Sequence, residues 1–271
     1  MHNAHTGAGG SKRAILAVSF GTCCPVGREE AIGGVERALA EAHPGWGLYR
    51  AFTSPTIRGM LLRRQGLSVD SAEEALDRLA GEGVEEVLVQ PTYIIGGYEY
   101  NRLAALLEAR RQGFRRLVLG APLLAGPGDC RAVAAALLGP PAPSSGGEAV
   151  VFVGHGTGHQ ANRAYTDLQQ AFQEAGAAHC LVGTVEAAPT QAQVLDRLRA
   201  GGWRSVVLVP LMVAAGSHAR KDIAGSQPGS WQSVLAGAGY PATCALRGLG
   251  QMEPIRQIYV AHAQAALEAT P

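Results

Sequence analysis

The chain has 271 residues, of which 47% are hydrophobic and 17% charged; that composition supports a buried core and excludes global disorder. Its formal net charge of +1 excludes a basic nucleic-acid footprint at the level of the whole chain. The five cysteines are scattered and form no CxxC pair, which excludes an evident disulfide framework and gives a thiolate zinc site little support.

In chain order, residues 1–13 carry Gly, Ala and His without an apolar stretch before a cleavage site, so they read as a flexible tail holding His2 and His5, not as a signal peptide. No run of 18 apolar residues follows, and a cytoplasmic protein without a membrane partner is expected. Apolar, β-rich runs at Ala14–Ser19, Leu48–Phe52, Val87–Pro91 and Leu117–Gly120 alternate with helical stretches at Glu29–Glu41, Ala72–Ala80 and Glu99–Arg110. The adjacent Cys23 and Cys24 read as a neutral loop pair. Pro140 to Gly147 is rich in Pro, Ser and Gly and reads as a linker. Strands then recur at Val150–Gly154, Cys180–Glu186, Val206–Pro210 and Thr243–Gly248, with helices at Arg163–Glu174, Gln191–Arg199 and Pro254–Glu268. Several strand runs are apolar without alternation, as in parallel strands covered on both faces. The order predicts an α/β fold of right-handed βαβ units.

The two halves resemble each other. Ala14 to Thr22 lines up with Ala149 to Thr157, Phe52-Thr53-Ser54-Pro55-Thr56 with Glu186-Ala187-Ala188-Pro189-Thr190, and Val89-Gln90-Pro91 with Leu208-Val209-Pro210. Eight residues beyond the last two prolines stand Glu99 and His218. This predicts a duplicated unit: a tail at 1–13, an N-terminal domain at 14–139, a linker at 140–148 and a C-terminal domain at 149–271, with the last helix free to cross back.

Open α/β sheets bind ligands beyond the carboxyl ends of their strands. The second copy places His155, Glu186 and His218 there; the first places Phe20, Phe52 and Glu99. Two imidazoles and a carboxylate suit a borderline divalent cation and leave coordination positions open. Gly154 and Gly156 permit close approach at His155, and the aromatic positions suit a flat, apolar substrate. Singly, each polar group has a structural account: a hydrogen-bonded strand-end His155, a Glu186 charging a helix N-terminus, a loop His218. Their joint placement points to a site. His43, His159, His179 and His262 read as structural. Gly154-His155-Gly156-Thr157-Gly158 also has the look of a phosphate loop, but no GxGxxG and no Walker lysine accompanies it, so no nucleotide is expected.

These motifs resemble those of a known family. Ser19-Phe20-Gly21-Thr22, Arg50-Ala51-Phe52-Thr53-Ser54, Gly154-His155-Gly156, Val185-Glu186 and Leu211 to Ala219 are similar to the anaerobic sirohydrochlorin cobaltochelatases, class II chelatases, from about Lys12 to Ala266. The resemblance implies two similar Rossmann-like domains, each with a parallel four-stranded sheet flanked by helices, facing across a cleft. It implies ATP-independent insertion of Co²⁺ into sirohydrochlorin on the anaerobic route to cobalamin. It implies that His155, Glu186 and His218 hold the metal and that Glu99 takes a catalytic part. Phe20, Gly21, Thr22, Phe52, Gly154 and Gly156 are the candidate ring-contacting positions. Tyr93-Ile94-Ile95 and Gly96-Gly97-Tyr98 depart from the family pattern.

On this reading the metal displaces two pyrrole protons, His155 accepts one, Glu186 offsets the cation charge, and Glu99 relays protons or orients the ring. His218 shares the catalytic and ligating roles with His155. Arg58, Arg102, Arg220 and Lys221 are candidate partners for the substrate's carboxylates. Alternatives are insertion of Fe²⁺ or Ni²⁺ into sirohydrochlorin or a related tetrapyrrole, which N/O ligands do not discriminate, or a non-enzymatic metal- or haem-binding protein. A homo-oligomer is compatible with the sequence.

Overall fold

Among the described residues, eight strands pair into two parallel sheets with the same internal order. The structure, a computed structural model, describes residues 12–139, 147–217 and 219–269. The tail up to residue 11, most of the expected linker (140–146) and His218 lie outside them. The strands are β1 (Arg13–Ser19), β2 (Gly47–Phe52), β3 (Glu86–Pro91), β4 (Arg116–Leu119), β5 (Glu148–Gly154), β6 (Cys180–Thr184), β7 (Ser205–Pro210) and β8 (Ala242–Cys244). They run β2-β1-β3-β4 in one sheet and β6-β5-β7-β8 in the other. The α-helices are α1 (Gly33–Ala42), α2 (Pro55–Gln65), α3 (Ala72–Gly81), α4 (Tyr98–Arg110), α5 (Pro127–Leu138), α6 (Arg163–Glu174), α7 (Gln191–Ala200), α8 (Trp231–Gly237) and α9 (Glu253–Ala269).

The chain forms two compact units. One ends at Leu123 and resumes at Gly250; the other is Leu124–Leu249. In the first, β1 is buried at every residue but Arg13, because helices cover both faces of the sheet. Leu16, Val18, Val87 and Val89 pack under Leu76 and Leu79 of α3 and Leu103 and Leu107 of α4. The other face receives α1 and α9. Tyr259 of α9 is fully buried, and its hydroxyl lies 3.2 Å from the carbonyls of Thr92 and Tyr93 just beyond β3.

In the second unit, Val151, Val153 and Leu208 pack under Val194 and Leu198 of α7 and Trp231 and Leu235 of α8. On the opposite face Phe152 stacks on Phe172 of α6 with centroids 5.1 Å apart. Gln169 of α6 satisfies the outer edge of β6: its Nε2 donates to the Cys180 carbonyl at 3.0 Å and its Oε1 accepts from Val182 N at 2.9 Å, which blunts an otherwise unpaired strand edge. Helix α5 packs on α6, burying Cys130, Val133 and Ala134. The unit boundary therefore falls at Leu123, before α5, and not at residue 139. The helix after each fourth strand leaves its own sheet: α5 joins the second unit and α9 the first.

Three helices carry no strong periodic signal. Helix α2 buries only Leu61 and is set by its N-cap, where Ser54 Oγ accepts from Ile57 N at 3.3 Å, and by Pro55 in the first turn. Helix α5 is apolar almost all round, and α8 spans only Trp231–Gly237. No helix of the described residues is long and apolar enough to cross a membrane.

Candidate functional site

In each sheet the first strand of the repeat sits between the second and third, so the chain leaves β1 or β5 in opposite directions. That reversal opens a crevice at the carboxyl ends of the strands. In the second unit His155 follows β5 and Glu186 follows β6 by two residues. The ladder continues past the strands: Val185 N donates to the Gly154 carbonyl at 3.0 Å and Glu186 N to the His155 carbonyl at 2.9 Å. The two side chains meet, His155 Nε2 lying 3.4 Å from Glu186 Oε1, with 46% and 59% of each side chain exposed. A neutral imidazole beside a carboxylate is a donor set of the kind that divalent cations take.

The backbone around His155 is held from below. Gly156 has φ of +83°, and a Cβ there would stand 2.8 Å from Thr184 Oγ1 and 2.9 Å from Ala187 N, so the turn closes only with glycine. A Cβ at Gly154 would lie 2.3 Å from the ring of Tyr165. The Tyr165 oxygen accepts from the backbone N–H groups of Gly156 and His155, and burial pushes its phenol up to about 12. Beyond β7, Leu211 N donates to the Val153 carbonyl at 2.8 Å, starting the loop that runs to Ser217. His218 lies beyond that point, outside the described residues. Among the described residues no cluster of three or more His, Cys, Asp or Glu has ligand geometry.

The first unit repeats this ladder with other side chains. Thr53 N donates to the Ser19 carbonyl at 2.9 Å and Ser54 N to the Phe20 carbonyl at 3.2 Å. Phe20 thus stands where His155 stands, and Ser54 where Glu186 stands. This corrects the proline-based alignment, which paired Phe52 with Glu186. Phe52 ends β2 opposite Ser19, as Thr184 ends β6 opposite Gly154. Phe20 is 50% exposed and offers a ring face. Phe52 is 0% exposed, lying against Gly21 (φ +98°), whose Cβ would come within 2.6 Å of its ring. Phe52 shapes the turn from below and does not face a ligand. Thr22 is buried, its hydroxyl accepting from Cys24 N at 3.1 Å. Glu99 lies in the first turn of α4, where the helix dipole favours a carboxylate, and accepts from Arg102 at 3.1 Å.

The family model for cobalt chelatase (CbiK) matches residues 13–268. The chain belongs to the CbiK cobalt chelatase family. It is 40% identical over 256 residues to the sirohydrochlorin cobaltochelatase of Salmonella typhimurium, covering 94% of this chain and 97% of that protein. It is 37% identical over 262 residues to the sirohydrochlorin cobaltochelatase CbiKC of Nitratidesulfovibrio vulgaris, covering 96% and 92%. In fold it is similar to SirB from Bacillus subtilis with Fe³⁺, at a TM-score of 0.65 and 15% identity, covering 95% and 96% of the two chains.

The other residues singled out in the sequence of this CbiK-family chain have various surroundings, some as expected and some not. Arg58 is tied down, its Nε donating to the Val69 carbonyl at 2.8 Å and its guanidinium paired with Glu74, so it braces α2 against α3. Arg102 is highly exposed and engaged with Glu99. Arg220 and Lys221 lie on the turn Ala219–Ile223. Tyr93, at a departure from the family pattern, packs against the core of the first unit, and burial holds its phenol protonated well above its ordinary range. Cys23 is partly buried with its thiol 3.8 Å from the Ile57 carbonyl. His159 Nδ1 accepts from Ala161 N at 3.1 Å, a capping role. Asn162, Thr184 and Tyr165 are polar neighbours of the His155 turn that sequence reasoning missed; only their proximity to the Gly-His-Gly stretch hinted at them.

Proposed function

We propose that the chain inserts Co²⁺ into sirohydrochlorin without a nucleotide, the metal held by His155, Glu186 and His218 until the ring takes it. The observation that carries the site is the His155–Glu186 pair, 3.4 Å apart at adjacent strand ends, in a chain matched by the cobalt chelatase model over almost its whole length. The reaction balances as one divalent cation entering and two pyrrole N–H protons leaving. In this proposal His155 takes one proton as it releases the metal, the other passes to bulk water, and Glu186 offsets the cation charge. Phe20, with its exposed ring, and Glu99 are proposed to contact the tetrapyrrole. Cytoplasmic action belongs to the same proposal.

The test is anaerobic incubation of the full chain with sirohydrochlorin and Co²⁺, Fe²⁺ or Ni²⁺ in parallel, followed by the change in the tetrapyrrole spectrum. Fastest insertion of Co²⁺, lost in His155→Ala, is the expected result. Faster insertion of Fe²⁺ or Ni²⁺ would reassign the metal, and tight metal or haem retention without turnover would make the chain a binding protein.

A further inference from the structure

The His155 and Glu186 loops are joined by a third side chain. Asn162, 26 residues before Ala188 in sequence, sits ahead of α6 and makes two hydrogen bonds. Its Oδ1 accepts from Thr157 N at 3.0 Å, and its Nδ2 donates to the Ala188 carbonyl at 2.6 Å. A backbone N–H can only donate and a carbonyl can only accept, so this amide orientation is set by its partners. Thr157 lies two residues beyond His155, and Ala188 two residues beyond Glu186. The amide therefore grips each ligand loop at the same distance from its ligand.

The rest of the loop pair is closed around this bridge. The Thr184 hydroxyl donates to the Ala187 carbonyl at 2.6 Å, and Ala187 N donates to Thr184 Oγ1 at 3.1 Å. Thr157 Oγ1 accepts from His159 N at 3.2 Å. The direct ladder bond from Glu186 N to the His155 carbonyl joins the loops at the ligands themselves. Asn162 is the side chain that spans from one loop to the other beyond that point. Asp at this place would keep the acceptor and lose the donor; Ala or Ser would be too short to reach both.

We infer that Asn162 is a positioning residue for metal capture: it holds the His155 and Glu186 loops at one separation, so that both ligands meet the cation without first being ordered. This rests on the assignment of His155 and Glu186 as metal ligands. Outer partners that orient ligands typically change metal affinity by about 10–100-fold when removed.

The experiment titrates Co²⁺ alone into the full chain, following the visible absorption of the bound ion, and measures insertion into sirohydrochlorin, for wild type, Asn162→Ala, Asn162→Ser and His155→Ala. The expected result is Co²⁺ binding weakened about tenfold or more in both Asn162 variants. KM for Co²⁺ rises in step, while KM for the tetrapyrrole stays within twofold. Should Asn162→Ala fail to fold, Asn162→Ser carries the comparison. Wild-type Co²⁺ affinity in the folded Asn162 variants, with binding lost in His155→Ala, overturns the positioning role and leaves the ligand assignment standing. Wild-type affinity in His155→Ala overturns the ligand assignment and this inference with it. A lowered melting temperature with unchanged Co²⁺ affinity also overturns it, since that is all a purely structural amide would produce.

Discussion

Ser54 and Glu186 occupy the same rung of the two repeats: Ser54 N bonds to the Phe20 carbonyl at 3.2 Å and Glu186 N to the His155 carbonyl at 2.9 Å. The side chains on that rung have diverged. Ser54 turns back to cap α2 through Ile57 N, whereas Glu186 turns out toward His155. Exchanging each for Ala should therefore give opposite results. Ser54→Ala should cost about 0.5–2 kcal/mol of stability through the lost cap. Glu186→Ala, at an exposed position, should change stability by less than about 0.5 kcal/mol and sharply weaken Co²⁺ binding. Urea unfolding paired with Co²⁺ titration separates the two.

The two phenylalanines of the first unit should also part company. Phe52→Ala removes a fully buried ring and should cost about 3–5 kcal/mol. Phe20→Ala removes a half-exposed one; it should leave the unfolding midpoint nearly unchanged and raise KM for the tetrapyrrole. Equal loss of stability in both variants would contradict the burial on which this contrast stands.

Gly156→Ala should be costly in two ways. The left-handed backbone penalises any side chain by about 1–2 kcal/mol, and the new methyl meets Thr184 Oγ1 and Ala187 N at under 3 Å. The contact pushes the His155 loop away from the Glu186 loop, so insertion should fall further than the loss of folded protein explains. Activity normalised to the folded fraction, measured by circular dichroism, checks this.

Tyr165 gives an alkaline signature. Burial raises its phenol to about 12, above the unfolded value of about 10. Its contribution is complete below pH 10 and is lost as the pH rises through about 12, at up to about 1.4 kcal/mol per pH unit. Tyr165→Phe should flatten that part of the stability profile by one proton's worth. It should also loosen the His155 turn, whose N–H groups lose their acceptor. An unchanged alkaline slope in the variant would place the phenol in water.

Much of this protein was legible before any coordinates. Each of the eight strands of the described residues overlaps a run marked by apolar, β-rich residues, since strands buried on both faces must be apolar. The edge strand β8 is the poorest match, ending at Cys244 where the run was expected to reach Gly248, and none of its residues is buried. The repeat, the strand-end placement of His155 and Glu186, and the resemblance to cobaltochelatases also came from residues and spacing; His218, expected beside them, lies outside the described residues. What was not legible depends on which backbone groups pair. Two prolines aligned Phe52 with Glu186, but the ladders align Phe52 with Thr184 and Ser54 with Glu186, because register is set by hydrogen bonds and not by the nearest proline. The return of the last helix to the first unit was expected, but α5 goes to the second unit, whose core buries its apolar side, a choice no local pattern encodes. The bridge from Thr157 to Ala188 through Asn162 exists only because two loops far apart in the chain end on neighbouring strands, and that adjacency belongs to the tertiary structure alone.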